Sequence, residues 1–142
     1  MPPARPTSVL ALVVVASCGF GASTEGTPLD AQRARAILVE HRALLADVKA
    51  LHALHPEADA AKIETESKRL AAKLGALWIE VEPSDSSRTV KVCFHVHRGP
   101  AETYWSLLQW VPPSTVARVQ SEGLRLGEEW KDLGEGWFWV WR

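Results

Sequence analysis

The segment Cys93-Phe94-His95-Val96-His97 sets three metal-ligating side chains at alternate positions. In an extended strand alternate side chains share a face, and imidazole and thiolate are both ligands for zinc or copper. At about 3.3 Å per residue, positions 93 and 97 lie about 13 Å apart, too far for one ion without backbone bending. A site of this kind therefore needs His95 with His97 plus a ligand from elsewhere in the fold, Cys93 joining them only if the backbone bends. The competing reading is a polar sheet face, with Cys93 serving as a small apolar residue beside Trp78.

A second candidate is the aromatic run at the C-terminus. Trp137, Trp139 and Trp141 alternate with Phe138 and Val140, so the three indoles fall on one face of a strand. Such a row packs in a core, forms a protein-binding surface, or stacks on sugar rings such as those of peptidoglycan. Three further histidines, His41, His52 and His55, lie within an arc of about 60° on a helix, yet His41 is about 16 Å along the axis from His52. His52 and His55 sit in a last helical turn before Pro56, where a histidine meets the negative end of the helix dipole.

Nucleophilic and phosphate-binding signatures are missing from the sequence. It has no Gly-x-Ser-x-Gly elbow, phosphate-cradling glycine loop, His-Glu-x-x-His or Cys-x-x-Cys. Cys93 and its neighbouring histidines alternate on one strand and supply no oxyanion site. A non-enzymatic protein is expected, with no catalytic residue assigned. Sixteen Lys and Arg against seventeen Asp and Glu give a net charge of −1 over 142 residues, which disfavours nucleic acid as a partner.

These candidates must be positioned by elements legible in the hydrophobic pattern. Thr27-Pro28-Leu29-Asp30 reads as a helix start, with an N-cap hydroxyl followed by Pro at the first helical position. Ile37, Leu38, Leu44, Leu45, Val48 and Leu51 continue the helical period and predict a helix over 28–54. A second helix is predicted over 57–74, with Gly75 closing it and Glu64 four residues before Lys68. The two helices form either a hairpin or a rod kinked at Pro56.

The period then changes from 3.6 to 2. Leu77–Glu82 and Val90–His97 alternate, with turn-forming residues between them, and predict a hairpin pairing Val81 with Val90, Ile79 with Val92 and Glu80 with Lys91. After Gly99-Pro100 a short helix through about Gln109 is expected, and another from Ser114 to Gly123. The tail from Glu129 to Trp141, broken by Gly134-Glu135-Gly136, reads as a second hairpin. The expected fold is α+β: a two-helix segment, then an antiparallel sheet of about four strands in two hairpins with short intervening helices.

The first residues carry a different message. Arg5 precedes the apolar run Val9–Ala16, and small residues follow, an order typical of a secretory signal and too short for a transmembrane helix. Val15-Ala16-Ser17-Cys18 resembles the lipobox of bacterial lipoproteins, which implies lipidation of Cys18 and loss of that thiol from any pairing with Cys93. Two acyl chains make such attachment stable, and Gly19 in place of Asp favours the outer membrane over the inner.

The resulting expectation is a signal peptide over 1–17, a flexible tether over 18–27 and a single α+β domain over 28–142. Its partners are the membrane, through the lipid anchor, and another envelope protein or a glycan. A soluble periplasmic or secreted form is the alternative location, and zinc or copper binding the alternative function, with no other cofactor implied.

Overall fold

In the computed structural model, which describes residues 21–82 and 88–142, the domain begins earlier than the tether reading implies. Ser23–Gly26 forms a strand, β1, antiparallel to the far end of a long central strand. All four of its residues are exposed and polar or glycine, so nothing in their hydrophobicity marks a strand. Cross-strand pairing with residues 95–98, far away in sequence, is what defines it.

The first predicted helix is shorter than expected and is broken once. Asp30, not Thr27, is the N-cap, its carboxylate accepting from the Arg33 amide at 2.7 Å, and α1 runs Ala31–Glu40. The backbone leaves helical geometry at His41, and α2 follows over Arg42–Ala50, ending in a short 3-10 turn at Leu51–Ala53. After the turn at His55–Asp59, α3 spans Ala60–Leu74. Gly75 takes the left-handed conformation at φ 70°, and its N–H and that of Ala76 close the last turn on Ala71 and Ala72 carbonyls.

Strands β2 (Trp78–Val81) and β3 (Val90–Arg98) pair in the expected register, Ile79 opposite Val92, Glu80 opposite Lys91 and Val81 opposite Val90. The segment expected to be helical after Gly99-Pro100 is instead a strand, β4 (Thr103–Trp110), antiparallel to β3. Leu107 and Leu108 are buried on opposite faces of the sheet, a pattern of a central strand covered on both sides, and consecutive apolar residues of that kind imitate a buried helix.

A 3-10 turn at Pro113–Thr115 leads into α4 (Val116–Arg125), which starts after Ser114 and continues past Gly123. The predicted second hairpin is present as β5 (Glu129–Gly134) and β6 (Trp137–Trp141).

The sheet order is β1–β3–β4–β6–β5, and β2 pairs with β3 on the same side as β1, so the two short strands lie end to end along one long one. Helices α1 to α3 cover one face through Ile37, Leu45, Val48 and Leu70, which meet Val92, Leu108 and Trp110. The other face is covered in part by α4, where Val116 and Val119 meet Leu107, Phe138 and Val140. Each large apolar side chain fully buried in these layers contributes roughly 1.5–3 kcal/mol. The α+β architecture is therefore shown, with six strands among the described residues in place of about four.

Candidate functional site

The Cys93–His97 segment is interrupted by a β-bulge. Cys93 pairs with Leu107 but His95 pairs with Ser106, so two residues of β3 advance against one of β4. Neighbouring residues of β4 face opposite sides of the sheet, and Cys93 and His95 are thereby assigned to opposite faces. The single-face arrangement expected for Cys93, His95 and His97 does not form, because the extra residue shifts the alternation by one.

Opposite the bulge stands Gly26, at φ 74° and paired with His95; a Cβ there would overlap the Phe94 carbonyl oxygen. Cys93 is 3% exposed, its Sγ lies 3.5 Å from the His95 carbonyl oxygen, and burial pushes the thiol pKa up.

His95 and His97 do share the helix-covered face. The His97 Nδ1 lies 2.6 Å from Thr24 Oγ1 and its ring stacks on Tyr104 with centroids 6.3 Å apart. Tyr104 itself donates to Glu102, and that hydrogen bond raises its pKa. The His95 Nδ1 is enclosed and lacks a protein hydrogen-bond partner. Among the described residues no three His, Cys, Asp or Glu side chains are grouped to hold one metal ion, whereas zinc sites commonly draw on at least three protein ligands.

The helical histidines have local work. The His52 Nδ1–H donates to the Lys49 carbonyl at 2.8 Å, satisfying an end-of-helix acceptor, and the ring rests 4.5 Å from that of Trp110. His55 accepts from the Glu57 and Ala58 amides while its own N–H donates to Asp59, which ties the turn before α3. His41 occupies the break between α1 and α2.

The tryptophan row lies on the helix-covered face with Leu108 and Trp110. Trp137 is buried in that core and Trp139 packs against it, while Trp141, half-buried, stacks on Trp139 with centroids 3.9 Å apart. The lipobox-like Cys18 lies outside the described residues.

A different place is concave and apolar. A groove of about 370 Å³ runs between Ala60, Ile63 and Ser67 of α3 and Trp78, Ile79 and Val81 of β2. Trp78 and Ile79 point to opposite faces of the sheet, so a groove lined by both wraps the strand's outer edge. Trp78 remains 37% exposed. The rim carries the Glu64–Lys68 ion pair, 3.2 Å, and Glu82.

On its inner side β2 pairs with β3, and among the described residues no strand pairs with its outer side. The three edge strands differ in chemistry. β1 is polar throughout, β5 carries Glu129, Lys131 and Asp132 and a bulge, and β2 alone of the three presents a mostly apolar Trp78-Ile79-Glu80-Val81.

Sequence reasoning missed this groove because Ala60, Ile63 and Ser67 read as an ordinary helix face, and only their placement against β2 makes them a wall. The fold and groove define an α+β domain with an open, apolar strand edge beside a helix. Compared with protein families, curated proteins and solved structures, the chain matches none of the three.

Proposed function

We propose that the chain is a non-catalytic, lipid-anchored envelope protein that binds an extended segment of another envelope protein in the α3–β2 groove. The supporting observation is the apolar outer edge of β2 running alongside an apolar helix wall. An added strand satisfies main-chain groups on β2, and pockets beside the edge receive alternate side chains, the recognition mode of strand addition. The site accommodates about four residues, since β2 has four, or about 13 Å of extended chain. The apolar lining selects aliphatic or aromatic side chains on the peptide face turned to Ile63 and Ile79. The lipid anchor is Cys18, on the strength of its lipobox-like context.

The test uses acetylated, amidated hexapeptides alternating Val, Leu or Phe with Thr, read by amide chemical-shift changes in the ¹⁵N-labelled protein. Shifts confined to residues 60–68 and 78–82, with Kd in the range of about 10–500 µM, are expected. Methylating alternate peptide nitrogens, which removes the main-chain donors, should weaken binding by at least about tenfold, corresponding to about 1.4 kcal/mol. No shift in these segments at millimolar peptide would sink the assignment.

A further inference from the structure

We infer that a second cleft, between the first two helices and the β5–β6 turn, binds a soluble single-chain anionic amphiphile such as an alkyl carboxylate or alkyl phosphate. The cleft measures about 400 Å³, within the range of small-molecule sites. Its floor is apolar, formed by Leu38, Leu45, Leu133 and Trp137. Three cations line it, Arg35, Arg42 and Lys49, against one carboxylate, Glu135.

The cations recur every seven residues, a spacing that returns to nearly the same helix face, and the break at His41 leaves all three on the cleft. Lys49 stands over the Trp110 ring at 5.2 Å, and Arg42 reaches Glu135 at 3.4 Å. The Arg42 and Glu135 side chains are 69% and 76% exposed, so that pair contributes little to stability and yields readily to a competing anion. Glu135 is held there by a turn in which Gly134, Glu135 and Gly136 all have positive φ. Val39 extends the apolar surface at the rim, 68% exposed.

Charge and apolar area thus meet in one cleft, and each selects one end of the ligand. A headgroup anion displaces the Glu135 carboxylate from Arg42 and lies between Arg35, Arg42 and Lys49. The alkyl chain covers Leu38, Val39 and Leu133, over a floor closed by the buried Leu45 and Trp137. A bare anion lacks the tail's burial, and a neutral alcohol lacks the headgroup. The volume of the cleft fits one alkyl chain, which favours a free amphiphile over a membrane surface.

Isothermal titration of the full-length protein with decanoate and decyl phosphate, below their micellar concentrations, tests this. Binding with Kd below about 100 µM is expected, weakening as salt rises, with no measurable heat from decanol or inorganic phosphate at the same concentrations. The Arg42→Gln, Lys49→Gln double variant should bind at least about tenfold more weakly, and Arg125→Gln, on α4 and outside the cleft, should bind as the parent does. Equal affinity for decanol, unchanged affinity in the double variant, or binding confined to phosphatidylglycerol vesicles would overturn the assignment. These readouts are independent of the peptide titration, which reports on α3 and β2.

Discussion

Cys93 is almost wholly excluded from solvent, and its thiol pKa is raised first by burial. A group whose proton is held more tightly in the folded than in the unfolded chain contributes stability below the unfolded pKa, and that contribution is lost as pH rises. The unfolded thiol titrates near 8.5. The urea midpoint of the wild type should therefore fall between about pH 8 and 10 more steeply than that of Cys93→Ala, and iodoacetamide should label Cys93 slowly until the protein is unfolded. Rapid native labelling would contradict the burial.

At this scale the sequence was legible where roles are local. The end-of-helix position of His52 could be read, and its bond to the Lys49 carbonyl bears that out. The geometry of Cys93 with His95 could not, because the bulge depends on Gly26, sixty-odd residues away in sequence, and no neighbour of Phe94 announces it.

The elements divide in the same way. The β2–β3 and β5–β6 hairpins were readable because alternation and turn chemistry agree over a short stretch of sequence, and the β2–β3 register followed from matching aliphatic and charged positions. β4 was not, because burial on both faces erases alternation. β1 was not, because an exposed polar strand is defined by its partner alone. The helical segment was placed correctly but its break at His41 has no signature, and no side-chain bond caps α2 there.

The β1–β3 pairing supplies the prediction that belongs here. Gly26→Ala combines a positive φ with overlap against the Phe94 carbonyl, so it should destabilise the fold by about 2–4 kcal/mol. Urea unfolding followed by circular dichroism measures it, and a loss under about 0.5 kcal/mol would show that β1 is free to move off β3.

For the molecule as a whole, composition and the change of period were enough to give α+β, since helices with one apolar stripe and strands with one apolar face must cover each other. The division into two layers was not legible, because α4 and the aromatic strands acquire their covering roles only from topology. Placement relative to a membrane is also a property of the whole. Four residues lie between Cys18 and Ser23, a reach of at most about 18 Å over the five steps, and Ser23 pairs with Arg98 at one end of β3. The β5–β6 turn meets the opposite end of the sheet, where Trp137 pairs with Trp110.

If Cys18 is acylated as proposed, Ser23 stays within about 18 Å of the attachment point, and the cleft beside the β5–β6 turn lies at the opposite end of the sheet from it. The native N-terminal peptide should then begin at Cys18 and carry two or three acyl chains by mass spectrometry, and a peptide retaining unmodified Met1 would remove the anchor.

The end-to-end arrangement of β1 and β2 along β3 also bears on how the protein behaves in a crowd. Fibrils grow by templating long, unbroken runs of backbone from one copy to the next. Here that border is cut into two runs of four residues, one of them wholly polar, and the opposite border is charged and kinked. Among the described residues neither border offers a long, unbroken apolar template, so the same sheet whose β2 edge stays open is protected from stacking on itself when many copies are concentrated.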